Sequence, residues 1–537
     1  MTNASNLPAP YLGMDQTTPL AALQSPFCQT LFNFNVVQDG IVLRNGDSKY
    51  EIIAHTAASN LTPGILLAPY GNTYLFMPTI NGVSLLVQIY DVDAGTISYT
   101  SGVAANAGDI FTYSFFNNYL YIWAANSSLL SPVAPGYAFN GTAWGVTGYT
   151  GTGTFNPFGG CGYKNRNYLV QYGEAAYWYS EIDAVTGATT KVDLSGLVSQ
   201  KCTLSIIAPI TLADSVQAVT LLAFVFDNGE ILFYDGSYPD SETWQLVGRA
   251  QTGQLTSLNP LPYQGDTIIL CDNGIVSLRD LFLQGSEKAI NLSVNTRIQK
   301  SWDSLIQAIR TTYPTANGPL RAWGWPGTVR GVWEPKTNRL IIMVPMYLNS
   351  SGTLVREGAT YFVFNTLLKS WFIQRSFGAS GTVIPFGDIA TYKNKVLTLC
   401  SSTTNNMIYQ KEGATGFTDR NTNDSAEVEY TFDFISAPIP FPKTENYETT
   451  QIEPIIESDL YATTNWYLVA DFGRQTTNAQ TTDALTTAPA KPAVNVGMQN
   501  VTFVQVQMAG TTAASKTVGL TLYSYNVWYN RGEVASR

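Results

Sequence analysis

The sequence predicts an all-β protein whose main part is a β-propeller of roughly seven to eight blades. Two apolar strands run into the same Asp-Asn-Gly turn, at 227–229 and at 272–274, and each turn leads into a second strand. Asn-Gly suits a tight hairpin because both residues tolerate a positive φ. The two turns lie about 45 residues apart, and propeller blades repeat at about 40–50 residues. The repeat favours a propeller over an array of β-sandwiches, which also alternates strands and turns.

The same spacing continues on both sides of this pair of hairpins. Seven apolar strands recur at intervals of about 45 to 72 residues. They contain Tyr74, Tyr119, Tyr168, Leu222, Ile268, Leu340 and Leu397. The longest interval, from Ile268 to Leu340, indicates an insertion between two blades.

The composition agrees with this fold class and limits the function. Hydrophobic residues make up 45% of the 537 residues and charged residues only 13%, against about 25% in average proteins. Tyr, Phe, Thr, Asn and Gly are typical of β-structure with many polar turns. The formal net charge is −10, which argues against tight nucleic-acid binding, because that needs Lys and Arg to neutralise phosphates. An acidic wall does, however, suit a conduit through which DNA must slide.

Three regions follow along the chain. Residues 1–48 carry four prolines and a first strand, and we expect an N-terminal arm that docks onto another surface. Residues 49–436 form the predicted propeller. Residues 437–537 follow a proline-rich boundary and form a C-terminal β domain, in which 475–497 lack an apolar period and are predicted to be a mobile loop. Together with the arm, the C-terminal strands predict an additional β-sandwich-like domain.

One helix is predicted, within an insertion at 293–312. Its apolar residues recur at helical spacing on one face: Ile298, Trp302, Leu305, Ile306 and Ile309. Asn295 or Thr296 is expected to cap it. Such a helix packs on the flank of a β domain or binds a partner protein.

No pattern of catalytic or metal-binding residues stands out. The five cysteines, at 28, 161, 202, 271 and 400, have no short spacing, so we expect neither a disulfide framework nor a zinc site. His55 is the sole histidine, which excludes paired-histidine sites within one chain. We therefore predict no catalytic, cofactor-binding or metal-binding residues, no cofactor and no enzymatic activity.

Two turn segments resemble known ligand loops without completing them. Asp91–Gly95 begins like a calcium loop, but the twelfth position is Gly102 rather than Glu. A hairpin turn fits it better. Ser237–Trp244 resembles a partial Asp-box of sialidase-type propellers, which is a structural turn. A glycosidase would need two carboxylates flanking the sugar, and no spacing selects such a pair.

The N-terminus shows no basic-then-apolar signal pattern, and no run of 18 apolar residues exists. We therefore expect a soluble chain made in a cytoplasm.

Several stretches resemble, in order, the tail nozzle proteins of short-tailed bacteriophages, also called tail hub or tail tubular protein B. The first is GIVLRNG at 40–46, and the central one is YDGSYPD at 234–240 with its flanking strands. The remaining stretches are the helix from Ile298 to Trp302, WEP at 333–335, LIIMVP at 340–345, YFVFNT at 361–366, SWF at 370–372 and FG at 386–387. Together they span about residues 40 to 390.

The resemblance implies a structural virion protein, made in the bacterial host cytoplasm and located in the phage tail. Members of that family form a homohexameric ring with one propeller per subunit, below the head-to-tail adaptor. The ring carries genomic DNA through its lumen without specific binding, holds tail fibres or tail tip proteins, and meets the host envelope at infection. The alternative is a propeller tail protein that binds or degrades a host glycan.

Overall fold

A computed structural model gives the fold of the chain. It describes residues 2–54, 68–71, 74–81, 84–91, 96–99, 109–126, 136–199, 202–213, 218–284, 296–312, 329–355, 358–377, 386–401, 405–414, 418–420, 427–441, 447–457, 464–470, 475–477, 480–482, 494–501, 503–512 and 520–531. His55 lies outside these residues, as do Asp93 to Gly95, Gly102 and Asn295.

The chain begins with five strands that serve two different parts of the fold. They are β1 (Thr2–Pro8), β2 (Cys28–Phe32), β3 (Phe34–Val37), β4 (Gly40–Leu43) and β5 (Ser48–Ala54), with a 3-10 turn at Leu20–Ala22.

Four small antiparallel sheets follow. Blade 1 contains β6 (Ala68–Tyr70), β7 (Tyr74–Asn81), β8 (Ser84–Asp91) and β9 (Thr96–Tyr99). Blade 2 contains β10 (Asp109–Phe116), β11 (Tyr119–Asn126), β12 (Tyr137–Phe139) and β13 (Trp144–Val146). Blade 3 contains β15 (Pro157–Tyr163), β16 (Arg166–Gln171), β17 (Ala176–Ser180) and β18 (Gly187–Asp193), with β14 (Tyr149–Gly151) parallel to β18. Blade 4 contains β19 (Leu204–Ala213), β20 (Ala218–Phe226), β21 (Glu230–Asp235) and β22 (Gln245–Gln251).

Three further sheets complete the set. Blade 5 contains β23 (Leu261–Tyr263), β24 (Asp266–Cys271) and β25 (Gly274–Ser277), followed by helix α1 (Leu278–Gln284). Blade 6 contains β26 (Arg330–Glu334), β27 (Arg339–Val344), β30 (Gly358–Asn365) and β31 (Ser370–Phe377), with a small hairpin of β28 (Tyr347–Leu348) and β29 (Leu354–Val355). Blade 7 contains β32 (Phe386–Tyr392), β33 (Lys395–Ser401) and β34 (Asn405–Gln410), and β5 is its fourth strand.

The seven blades confirm the predicted propeller and its period. Each of the seven strands recognised from the sequence is the second strand of a different blade: β7, β11, β16, β20, β24, β27 and β33. The first strand of blade 2, β10, contacts the first strand of blade 3, β15. The first strands of blades 5, 6, 7 and 1 contact one another in that order, as β23, β26, β32 and β6. Tyr70 joins blade 1 to blade 2 through a hydrogen bond from its hydroxyl to the Asn118 carbonyl, 2.7 Å. Strand β5 closes the ring because it brings the N-terminal region into the last blade.

Blade 4 shows why these strands are apolar along their whole length. Successive side chains of a strand point to opposite faces of the sheet. Leu222, Phe224 and Phe226 pack towards the tyrosines of blade 3. Leu221, Ala223 and Val225 pack towards Ile269 and Val276 of blade 5. Because a neighbouring blade covers each face, both faces are buried and the polar alternation of a half-exposed sheet is lost.

The Asp-Asn-Gly turns form hairpins as predicted, but with a different backbone. Only the glycines adopt a positive φ, +85° at Gly229 and +142° at Gly274. The Gly229 amide donates to the Phe226 carbonyl, 2.9 Å. A Cβ at Gly229 would lie 2.4 Å from the Gly253 carbonyl oxygen. Glycine is therefore required here both for its φ and for the close approach of another backbone segment.

The predicted helix is α2 (Gln299–Thr312), preceded by a 3-10 turn at Thr296–Ile298. All five residues of its predicted stripe are buried. Trp302 packs edge-on against Phe362 of blade 6, with 5.3 Å between ring centroids. Its indole donates to the Asp272 carbonyl of blade 5, 3.1 Å. Helix α2 therefore fills the insertion between blades 5 and 6. No helix in the described part of the chain is long and apolar enough to cross a membrane.

A β-sandwich packs beside blades 6 and 7. Its C-terminal strands are β37 (Thr431–Ser436), β38 (Ile439–Pro440), β39 (Tyr447–Glu457), β40 (Thr464–Ala470), β41 (Gln475–Thr476), β42 (Gln480–Thr482), β43 (Val494–Val501), β44 (Phe503–Thr511) and β45 (Thr521–Arg531). One sheet runs β2-β37-β44-β40-β41 and continues into blade 6 through the pairing of Phe32 with Ile373. The other runs β3-β4-β45-β39-β43, with β1 also paired to β45. A two-stranded ribbon, β35 (Thr418–Arg420) and β36 (Glu427–Glu429), precedes them.

The N-terminal region forms the sandwich together with the C-terminal strands, as the sequence predicts. Strand β1 pairs with β45 from Thr2 to Pro8, so residues 2–8 are an integral part of the sandwich. The sandwich also includes β37, which precedes the boundary predicted at 437. Within the predicted mobile loop 475–497, β41 and β42 pair with β40, β43 begins at Val494, and residues 483–493 lie outside the described residues. The pairing of β1 with β45 joins residues several hundred positions apart, which local sequence patterns cannot reveal.

Candidate functional site

The cysteines whose side chains the structure describes are buried or half-buried parts of the fold. Cys28, Cys202 and Cys271 are buried free thiols, and Cys161 is a half-buried one. Burial raises the pKa of the Cys271 thiol to about 12, which keeps it protonated and unreactive at neutral pH. Among the described residues, no three His, Cys, Asp or Glu side chains cluster closely enough to hold a metal ion.

The calcium-loop-like segment lies mostly outside the described residues, and the Asp-box-like segment connects β21 to β22. Asp91 ends β8, which pairs with β9 as a hairpin. In the Asp-box-like segment, Trp244 stacks on Tyr234 with 5.1 Å between ring centroids. Asp240 accepts a short hydrogen bond from the Tyr179 hydroxyl of blade 3. The segment therefore fastens blade 4 to blade 3.

The largest concentration of buried charge lies where the sandwich meets blades 6 and 7; we call this boundary the seam. Arg44, directly after β4, is fully buried. Its guanidinium donates to both carboxylate oxygens of Asp419, at 2.9 and 2.6 Å. It also donates to the Asn33 side chain and to the Arg375 carbonyl, and it stacks 4.0 Å from the centre of the Tyr430 ring. Although burial opposes its charge, Asp419 and Asp47 raise the pKa of Arg44 above its usual value.

A second ion group extends the seam towards blade 6. Arg339 of β27 bridges Glu334 at 2.8 Å and Glu412 at 2.9 Å. Glu412 also accepts hydrogen bonds from Gln374 and Asn35, each 2.8 Å long. Burial alone would raise the pKa of Glu412, but Arg339 and Lys411 outweigh it and lower that pKa to about 2. Glu412 is therefore ionised at all ordinary pH values.

Lys411 is the least satisfied member of the seam. It is buried, its Nζ lies 3.8 Å from Asp47, and the described residues offer that nitrogen no hydrogen bond. It sits 3.8 Å from the centre of the Tyr361 ring. Burial lowers its pKa from the usual lysine value. Its charge thus costs more than that of Arg44, because fewer donors and acceptors compensate it.

A pocket of about 440 Å³ opens in the same seam; we call it the seam pocket. Four elements form it: the loop from Asp15 to Leu23, strand β2, helix α2 and the strands of blade 6. Its polar lining consists of Asp15, Gln16, Thr17, Thr18, Gln29, Thr30, Lys300, Ser301, Ser304, Thr360 and Arg375. Apolar walls come from Pro19, Leu20, Leu23, Phe32, Leu305, Leu348, Phe362 and Ile373.

The sequence singled out only part of this boundary. Arg44 and Glu334 fall within stretches that carry the phage-tail resemblance, but Lys411, Glu412 and Asp419 belong to no recognisable pattern. Arg375 was missed as well. Arg375 lies two residues after Ile373, and Ile373 pairs with Phe32 of β2, which comes from the N-terminal part of the chain. That pairing is visible only in the fold.

No protein-family model matches the chain, and no curated protein matches its sequence. Among solved structures, Raptor from Chaetomium thermophilum is 9% identical over 68% of this chain, with a TM-score of 0.36, and the chain spans 29% of the length of that protein. An exo-β-1,3-galactanase from Phanerochaete chrysosporium is 7% identical, with coverages of 88% and 99% and a TM-score of 0.25. A structure of BBS1N in complex with ARL6DN gives 10% identity, coverages of 67% and 96%, and a TM-score of 0.34. We draw no functional conclusion from similarities this low.

Proposed function

We propose that this chain is a structural component of a short phage tail, a nozzle or hub subunit that assembles into a homohexameric ring. The ring lies below the head-to-tail adaptor, anchors tail fibres or tail tip proteins, and lets DNA pass during ejection. The chain has no catalytic role in this proposal. Closed cyclic symmetry is the usual way in which identical subunits form a ring.

The observation that carries the proposal is the ordered series of stretches that resemble tail nozzle proteins. In the fold several of these stretches lie at the seam or in blade 6 beside it. The stretch at 40–46 is strand β4 with Arg44 at the centre of the seam, and those at 340–345, 361–366 and 370–372 are strands β27, β30 and β31 of blade 6. These stretches lie at the joint between propeller and sandwich, whereas the stretch at 234–240 lies in blade 4.

The acidic net charge of −10 supports the conduit role. Like charges on a channel wall and on DNA repel, so the wall offers few sites where phosphates would stick. Ejection requires this property, whereas a DNA-binding protein requires the opposite.

Labelling of purified phage particles tests the location. An antibody against this chain, visualised by electron microscopy, should mark the base of the tail next to the head. Label at the ends of the fibres would instead place the chain among receptor-binding proteins. Particles of a phage mutant from which the gene for this chain has been deleted serve as the negative control.

The alternative, a tail protein that binds or degrades a glycan, has one observation in its favour, the seam pocket. For degradation, two carboxylates would have to face the substrate. Asp15 is the one acidic residue among the described residues that line the seam pocket. The pocket thus favours binding over hydrolysis.

A further inference from the structure

Arg375 is a half-buried cation that no carboxylate neutralises directly. Burial lowers its pKa, and its Nε has no hydrogen-bond partner. Asp433 influences its charge from a distance, but that carboxylate accepts a hydrogen bond from Gln507, 3.0 Å long. Among the described residues, no ion pair to Arg375 forms, whereas Arg44 and Arg339 in the same seam are each paired with carboxylates. Burying such a cation is costly unless a ligand compensates it.

The guanidinium of Arg375 is held in place before any ligand arrives. It stacks 4.5 Å from the centre of the Phe32 ring and 5.9 Å from that of Tyr347. Its backbone is fixed on both sides, because its amide donates to Asn33 at 2.7 Å and its carbonyl accepts from Arg44 at 2.7 Å. A cation that is already immobilised loses little entropy when it binds.

The rest of the seam pocket is rich in hydroxyl and amide groups. Thr18, Thr30, Ser301, Ser304 and Gln29 line the pocket together with Arg375, and Phe362 and Leu348 supply apolar surface. A volume of about 440 Å³ suits one or two sugar rings and lies within the range of ordinary ligand sites. Polyhydroxylated ligands need many donors and acceptors together with an apolar patch for their C–H faces.

We propose that the seam pocket binds an acidic sugar, a hexuronate residue, whose carboxylate pairs with Arg375 and whose hydroxyls bond to the threonine and serine side chains. A guanidinium matches the planar carboxylate with two parallel N–H donors. The pocket also contains Asp15 and Lys300, whose opposite charges offset each other, so Arg375 leaves a net charge of +1 that one carboxylate neutralises and a phosphate dianion exceeds. Asp15 is ionised: burial alone would raise its pKa, but hydrogen bonds from Thr17 and Thr18 lower it. This inference does not depend on the nozzle role.

Binding of simple sugars to the full chain tests the proposal. Glucuronate and galacturonate are titrated into the protein by calorimetry, with glucose and glucose 6-phosphate as comparison ligands. The uronates should bind saturably and about 10-fold or more tightly than glucose, the gain expected for a charge-assisted pair. Equal binding of glucose, tighter binding of glucose 6-phosphate, or no saturable uronate binding would each overturn the proposal.

Two variants with matched controls locate the site. Arg375→Gln should weaken uronate binding about 10-fold or more. Arg249→Gln, at an exposed arginine of blade 4, should leave it unchanged. Because Arg375→Gln could disturb the seam, Ser304→Trp supplies a second route: it fills the pocket from the exposed side of α2. Gln307→Trp, equally exposed on the same helix but outside the pocket lining, is its control. Uronate binding that survives Ser304→Trp would contradict the assigned site.

These results can be separated from those on the nozzle role. Arg375→Gln in the phage should leave the number of copies of this chain per particle unchanged, because ring assembly does not use the pocket. Loss of uronate binding with a normal tail therefore supports the pocket alone.

Discussion

At the scale of single residues, the seam combines charges that are well compensated with others that are not. Arg44 interacts with two carboxylates, a side-chain amide and two backbone carbonyls. Lys411, a short distance away, has Asp47 as its ion-pair partner at 3.8 Å and makes no hydrogen bond to the described residues. Removal of these two buried cations should therefore change the stability of the fold to different extents.

Replacement of each cation by methionine tests this difference. Arg44→Met leaves Asp419 buried without its cation, and we expect it to lower the free energy of unfolding by about 3–5 kcal/mol. Lys411→Met keeps the contact with the Tyr361 ring and removes a poorly compensated charge, so its effect should stay within about 1 kcal/mol. Urea denaturation followed by tryptophan fluorescence measures both. Similar losses for the two variants would show that the ion pair of Lys411 is as important as that of Arg44.

Glu412 predicts how stability depends on acid. Its pKa in the folded chain is about 2, below the ordinary 4.5 of the unfolded chain. The ion pairs of Glu412 thus stabilise the fold fully above pH 4.5, and this contribution of about 3 kcal/mol is lost as the pH falls from 4.5 towards 2. In Glu412→Gln the dependence of the unfolding free energy on pH should be flatter in that window. Glu242→Gln, at an exposed position, is the control, and it should follow the wild-type curve.

At the scale of elements, the hairpin glycine of blade 4 is both a conformational and a packing requirement. Gly173, in the hairpin of blade 3, also has a positive φ, +74°, but a Cβ there would meet nothing within 4 Å. We expect Gly173→Ala to cost about 1–2 kcal/mol for φ alone. Gly229→Ala should cost about 3 kcal/mol or more, because its Cβ must also displace the backbone of Thr252 and Gly253. Equal costs in denaturant titrations would mean that the neighbouring segment moves away freely.

The elements also show what the sequence can and cannot predict. Local periodicity predicts the second strand of every blade and the buried stripe of α2, because each of these burial patterns lies within one short segment of the sequence. The role of β5 as the fourth strand of blade 7 depends on a partner more than 350 residues away, at Asn405–Gln410. The pairing of β1 with β45 is of the same kind. The seam pocket was unpredictable for this reason, because its four walls come from segments that meet only in the folded chain.

At the scale of the whole molecule, the N-terminal region joins the two parts of the fold. Strands β1 to β4 belong to the sandwich, and β5, a few residues later, closes the propeller ring. Removal of residues 1–30 would delete β1 and most of β2, so truncation tests folding rather than attachment. Arg44 and Asp47 lie in the short link between β4 and β5. The ion pairs of the seam therefore hold the same segment that leads into the closing strand of the propeller. A rigid joint of this kind suits a subunit that must keep its geometry within an assembled ring.

The copy number of this chain in purified phage particles tests the central claim most directly. Quantitative mass spectrometry, calibrated on labelled peptides, gives its ratio to the portal subunit of the same particles. Closed sixfold symmetry fixes the expected value at about six copies per particle, or about half of the portal number if the portal is a ring of twelve. Absence from the particle, or a number that follows multiples of three per fibre, would contradict the nozzle role.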